Sequence, residues 1–482
     1  MVEDGKRLLL ARHPVFLVSL VSLTLVVIAM LSDPVLNRDG MYYVDTARAM
    51  LSSNALADHE WLLFPAMLAS VADLFSVDPL RVAQLYSLVA SVLLAVCLFV
   101  WLYRSGHAGA PRVAALTTLT VPWLLEYQAY VIRDSAAWLA LVATLMLARF
   151  WVRGHQWRWL VLMLPVACVG FLFRTEMLVL LVVPGWLALV AGWRRGAKTM
   201  MVTLIAAAVV AALLIPLAWD FVLGHIRFYL DAVRSSPDLM LLPDFVASLE
   251  AHVNPYVRSD LSTVLTAGLV ALPLIGLTGL LGIYLLPLVL GLQKRATSVL
   301  RQDDGASAVM LLVFLAVVLA FLFVMQFVTG RYLVPLAICL MPWVYQGMLR
   351  LDRDFPRIFK GFAVLAIVTA LSASFSTGGG KGYMRDAGEF VAQHHAQLAP
   401  VYYTDARVAF YAGDRYRPKK QVPLPLADRA RVDAAQTLVL LVRKDGEDIA
   451  RSLEQVKQDY GFAEVVFQAD NGDDKGVLVL SR

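Results

Sequence analysis

Charge is sparse in this 482-residue chain: Asp, Glu, Lys and Arg make up 16% of it, against 59% hydrophobic residues. With a mean hydropathy of +0.67, that balance excludes an ordinary soluble globular protein. Cysteine is scarce as well. Cys97, Cys168 and Cys339 each fall inside an apolar run, and none is spaced with another Cys or with a His. That excludes a disulfide framework and a zinc site. The chain has no Gly-rich phosphate loop and no evident internal repeat. His59, His225 and His252 lack a ligand-spaced partner and read as loop histidines rather than metal ligands. The formal net charge of +5 comes from basic residues that flank apolar runs, so nucleic acid is not expected as a partner.

What is present is a series of apolar runs, most of them long enough to cross a bilayer as helices. About eleven spans are expected, at roughly 14–31, 82–103, 112–125, 135–152, 157–173, 176–193, 199–219, 263–292, 308–328, 332–349 and 360–376. The first, headed by Lys6, Arg7 and Arg12, lacks a small-residue cleavage site and reads as an uncleaved anchor. The Trp61–Phe75 stretch is apolar but short, and reads as a re-entrant or surface-lying helix. Basic residues alternate sides along this series. They place the N-terminus in the cytoplasm and the C-terminus outside, as in a multi-pass protein of the plasma (inner) membrane. Two large external loops follow, about 32–81 and 220–262, the second with the mixed aromatic and charged composition of a lid.

After Ser376-Thr377-Gly378-Gly379-Gly380, a flexible hinge, the patterning becomes that of a soluble region. The expected division is therefore 1–376, transmembrane, and 377–482, a small external (periplasmic) α/β domain. In the latter, helices are expected at Tyr383–His395 and Gly446–Tyr460. Strands are expected at Val401–Thr404, Thr437–Val442, Ala463–Gln468 and Gly476–Leu480.

Chemistry is confined to polar residues at the outer ends of spans. Asn37-Arg38-Asp39-Gly40-Met41-Tyr42-Tyr43 follows the first span. Glu126, Tyr130, Arg133 and Asp134 lie between the third and fourth. Arg174 and Glu176 join the fifth and sixth, and Arg331 and Tyr332 open the tenth. Such a set suits displacement at a sugar carbon that carries a lipid phosphate. Asp39 has the chemistry to orient the incoming group and accept its proton. Arg133, Arg174 and Arg331 can bind the departing phosphate bidentately. Arg38, Tyr42, Tyr43, Glu126, Tyr130, Asp134, Glu176 and Tyr332 are the remaining pocket candidates. The structural alternative stays open for each: span-end charges anchor helices, Arg133-Asp134 and Arg174–Glu176 form salt bridges, and tyrosines belong to interfacial belts.

These motifs, in this order, resemble the GT-C fold, polyprenyl-phosphate-dependent glycosyltransferases, the group of the protein O-mannosyltransferases and lipid A aminoarabinose transferases. The resemblance is carried by Asp39-Gly40-Met41-Tyr42-Tyr43 after the first span, the Arg133-Asp134 turn, Phe173-Arg174-Thr175-Glu176, and Gly330-Arg331-Tyr332-Leu333-Val334-Pro335-Leu336. It covers about residues 10–376. It implies a polytopic α-helical GT-C-like membrane domain, Asp39 as the catalytic carboxylate, and an inverting transfer from a polyprenyl-phosphate-linked sugar. The acceptor stays open between a lipid, a glycan and a protein, and no cofactor is indicated, a divalent cation being neither indicated nor excluded. Two departures stand out. Gly40 occupies the position where the mannosyltransferases carry a second acid, and Leu63-Phe64-Pro65 lacks a preceding basic residue. A membrane transporter or lipid flippase is the alternative function; a non-catalytic scaffold is a third.

Overall fold

The computed structural model describes residues 13–33, 35–53, 63–105, 110–154, 156–187, 261–293, 305–325, 328–376, 381–414, 429–443, 454, 456–462, 464–470 and 475–482. Within these, seven helices are long and apolar enough to cross a membrane: Pro14–Ser32, Pro79–Arg104, Asp134–Gly154, Val270–Leu292, Gly305–Leu322, Gly330–Asp354 and Pro356–Phe375. The chain is a multi-pass membrane protein. Of the other expected spans, 157–173 forms the helix Trp157–Phe173. The 176–193 span opens as a 3-10 turn, Thr175–Leu181, and is described only to residue 187; the 199–219 span and the 220–262 loop lie outside the described residues. The 112–125 run is not one helix: it breaks at extended Val121 into Pro111–Thr120 and Pro122–Tyr127.

Proline explains many of the boundaries. Helices begin at Pro14, Pro79, Pro111, Pro122 and Pro356, the position where a fixed φ fits and a missing N–H leaves nothing unpaired.

Contacts divide the chain into two compact units. The first comprises Met1–Leu23, Ala90–Tyr127 and Arg133–Ala370. Its centre is the helix Gly330–Asp354, 83% buried over its apolar window. This helix packs against 285–292, 261–281, 305–325, 111–120 and 134–154. Its approach to Leu285–Leu292 is close enough that a Cβ on Gly347 would collide with the Pro287 carbonyl, and one on Gly291 with the Trp343 carbonyl. Without a hydrophobic drive between helices in lipid, such close backbone packing supplies the attraction.

The second unit comprises Thr24–Val89, Gln128–Ile132 and Leu371–Arg482, and so joins the segment after the first long helix to the C-terminal region. The Asp39 segment, expected within a loop, is a helix, Arg38–Ser53. Gly40, Val44 and Ala47 recur on one buried stripe, as an amphipathic helix requires. It packs on Leu63–Phe75, which buries Phe64, Leu68 and Ala72 with the same spacing. In the C-terminal region four strands, β1 (Val401–Tyr403), β2 (Thr437–Arg443), β3 (Glu464–Asp470) and β4 (Lys475–Ser481), pair in the order β1-β2-β4-β3. Only β1 and β2 are parallel. Val439, Val477 and Val479 face one apolar cluster with Tyr383, Ala387 and Val391, while Leu438, Leu440, Leu478 and Leu480 face another with Val432 and Phe462. Both faces are covered, which is why β2 and β4 read as unbroken apolar runs rather than alternating ones. The helix expected at 446–460 is described only near its end, as helical residues 456–460.

Candidate active site

In the first unit, three helix ends bring charge together. Asp134 is the first residue of the helix Asp134–Gly154. Arg174 follows the end of Trp157–Phe173 in extended backbone, and Glu176 lies in the 3-10 turn behind it. Arg331 and Tyr332 sit in the first turn of Gly330–Asp354. The Arg174 guanidinium forms ion pairs with both Asp134 and Glu176. Its carbon also lies 4.6 Å from the centre of the Tyr332 ring, with the Arg331 guanidinium 5.9 Å from the same centre. The Tyr332 ring in turn stacks on Phe321 at 4.7 Å.

Burial ranks these groups. The side chains of Arg174 and Asp134 are 6% and 2% exposed, whereas that of Glu176 is 26% exposed. An Arg–Asp pair removed from water is held together by the cost of leaving either charge alone. Glu176 is the partner solvent or a ligand reaches more easily. Arg331 and Arg133 are half-buried, and Glu126 closes the Pro122–Tyr127 helix with its side chain exposed. Against this cluster, Gly330 leaves room for Tyr127: a Cβ there would stand 2.9 Å from the tyrosine hydroxyl.

In the second unit, Asp39 is half-buried in the first turn of Arg38–Ser53, where an acidic side chain suits the helix N-terminus. Arg38 beside it is exposed and Tyr42 half-buried. Tyr43 is buried, edge-on to Phe64 at 4.9 Å, and Phe64 meets Tyr86 at 4.9 Å. Tyr130 is half-buried, its carbonyl accepting from the Ser87 hydroxyl at 2.9 Å.

Asn37 and Gly40 have roles the sequence did not reveal. The Asn37 carbonyl accepts from the Met41 N–H at 3.0 Å, which makes Asn37 the residue that opens the helix. Its side chain does not cap that helix. Instead Oδ1 accepts from the Val131 N–H at 2.9 Å and Nδ2 donates to the Val131 carbonyl at 3.3 Å. A Cβ on Gly40 would stand 2.9 Å from Asn37 Oδ1 and 2.9 Å from Val131 Cβ. The helix start is thus bolted to residue 131, and the bolt occupies the space a side chain at 40 would need. Gly40, seen in the sequence only as a departure from relatives, is required by this packing.

Just upstream, Asp33 is largely buried, with Lys381 Nζ 3.8 Å away. Burial raises its carboxyl above the ordinary 3.8, an effect the lysine partly offsets. No group of three or more His, Cys, Asp or Glu residues able to hold a metal occurs among the described residues.

A family model described as dolichyl-phosphate-mannose-protein mannosyltransferase matches residues 59–219, about one third of the chain. With the ordered motifs, the chain resembles the GT-C fold glycosyltransferases that use polyprenyl phosphate. Among solved structures, the crystal structure of ArnT from Cupriavidus metallidurans bound to undecaprenyl phosphate is 14% identical with a TM-score of 0.39, covering 96% of this chain and 97% of that one. Archaeal oligosaccharyltransferase AglB from Archaeoglobus fulgidus, in complex with an inhibitory peptide and a dolichol-phosphate, is 13% identical with a TM-score of 0.36. That likeness covers 80% of this chain and 58% of that one. No match was found among the curated proteins.

Proposed function

We propose that this protein is an integral membrane glycosyltransferase of about eleven spans. It moves a sugar from a polyprenyl-phosphate donor to a lipid, glycan or protein acceptor on the external face of the inner membrane. The N-terminus is cytoplasmic and the C-terminal region periplasmic. The observation that carries the reading is the convergence of Asp134, Arg174, Glu176, Arg331 and Tyr332 from separate helix ends. Among the described residues these ionisable groups cluster at helix termini, as a site for a lipid-anchored head group needs.

The reaction is a displacement. The acceptor oxygen or nitrogen attacks the anomeric carbon from the face opposite the phosphate and forms the new glycosidic bond. The carbon–oxygen bond to the lipid phosphate breaks, and its electron pair leaves with that phosphate, so the configuration inverts. Asp39 orients the acceptor and takes its proton. Arg133, Arg174 and Arg331 neutralise the charge growing on the leaving phosphate. Arg174 already holds two carboxylates, so a phosphate there must displace the more exposed Glu176.

The test is Asp39→Asn in purified, folded protein. Transfer from a polyprenyl-phosphate sugar should be abolished with expression unchanged; normal turnover would sink the assignment. A second reading, transporter or lipid flippase, is favoured by the interruptions at Val121 and at Gly282–Tyr284 within apolar segments. Substrate uptake by proteoliposomes without covalent product would establish it.

A further inference from the structure

The helix that carries Asp39 is held at its start and again further along by two consecutive aromatic residues of the C-terminal region. The Leu36 N–H, one residue before the helix-opening Asn37, donates to the Tyr411 hydroxyl at 2.9 Å. Further along, the Arg48 guanidinium lies 5.1 Å from the centre of the Phe410 ring, and also donates to both carboxylate oxygens of Asp78 at 3.1 Å. Both aromatics end the short helix Ala406–Tyr411.

That short helix is itself fixed. The Asp405 side chain accepts from the Arg407 N–H at 2.8 Å and pairs with the Arg407 guanidinium at 2.6 Å, both residues largely buried. Val408, Ala409 and Phe410 are buried. Gly388, on the neighbouring helix Gly382–Gln393, passes so close that a Cβ would stand 2.5 Å from the Tyr411 Cβ and 2.7 Å from the Val408 carbonyl. Tyr411 therefore cannot swing away without unpacking two helices. The Tyr411 phenol is also shifted upward by burial, which keeps it a neutral hydroxyl. Lys381 beside Asp33 adds a further point of contact between the two regions.

We propose that the C-terminal region positions the Asp39 helix, and that Tyr411 is a positioning residue whose hydroxyl fixes the backbone at Leu36. This rests on the reading of Asp39 as the acceptor-activating carboxylate. The physical reason is one of tolerance. An acceptor proton is transferred only across a short, aligned contact, and a displacement of about 1 Å costs on the order of a hundredfold in rate. The Leu36–Tyr411 hydrogen bond acts beside the Asn37–Val131 pairing, so the helix start is held from two directions.

The experiment is Tyr411→Phe in the full-length protein, which deletes only the hydroxyl and keeps the packed ring. Hydrogen exchange of the Leu36 and first-turn amides should rise about fivefold to tenfold, the loss of one hydrogen bond, while exchange in β2 and β4 stays unchanged. In the same preparation, kcat for transfer from a polyprenyl-phosphate sugar should fall about fivefold with KM for the donor unchanged. Unchanged exchange at Leu36, or raised exchange with unchanged kcat, overturns the proposal. Loosening of β2 and β4 as well would show a merely structural role and also overturn it. Absence of transfer by the unaltered protein instead counts against the glycosyltransferase reading, and the exchange result alone then decides the coupling.

Discussion

At position 40 a side chain as small as alanine would press on Asn37 Oδ1 and Val131 Cβ, both at 2.9 Å. Gly40→Ala should therefore cost about 1–3 kcal/mol through overpacking, read as a lowered unfolding temperature in detergent. The double variant Asn37→Ala/Gly40→Ala should lose less than the sum of the two singles, because the first removes one of the two obstacles. Additive losses would show that the two residues do not share the space. Arg174→Ala should be more severe, about 3–5 kcal/mol, since it strands the buried Asp134. Arg174→Lys should not rescue it, because an ammonium cannot reproduce a planar group that spans two carboxylates and stacks on Tyr332. Glu176→Gln should be mild in stability, and a melt as low as that of Arg174→Ala would refute this ranking. Asp33 gives a pH dependence. With its folded pKa raised, its contribution to stability is full below the ordinary 3.8 and is lost as pH rises through the raised value. Asp33→Asn should flatten the melt as pH rises above 3.8, and Lys381→Met should steepen it.

Elements were legible in the sequence wherever a local rule governs them. Proline at a helix start, the 3.6-residue stripes, and the apolar runs bounded by turn residues gave most helices and all four strands of the C-terminal region to within a few residues. The broken 111–127 segment was not legible, because an apolar run looks continuous whether or not Val121 is extended; Pro122 was the available signal. The Asp39 segment was read as loop because its polar residues obscured the Gly40–Val44–Ala47 stripe. Asn37, Val131 and Tyr411 escaped for another reason: their partners lie far away in sequence, and nothing local announces a side chain that bonds a distant backbone. The span-end charges at Asp134, Arg174, Glu176 and Arg331 stood out in the sequence, but the order in which burial ranks them did not. At this scale the Gly347–Pro287 contact makes a sharp comparison. Gly347→Ala should destabilise the packing of Gly330–Asp354 strongly, whereas Gly279→Ala, with open space around it, should be nearly neutral. Similar melting temperatures for the two would contradict that close approach.

For the whole molecule, the orientation proposed from charge alternation predicts that a phosphatase active only outside the cytoplasm works when fused after Arg482. Activity there would fit an odd number of crossings, and silence would reverse the topology. The sheet raises a different issue. In a bilayer, copies of a protein diffuse in two dimensions with their exposed regions at a common height, so sheet edges meet far more often than in solution. Among the described residues the edge strands are β1 and β3. The first is three residues long, and the second carries an irregularity between Val465 and Phe467 with Glu464 and Asp470 at its ends. Neither offers a neighbour a long flat row of free donors and acceptors. Straightening that irregularity, by deleting Val466, should therefore raise self-association of the protein in vesicles, read by crosslinking.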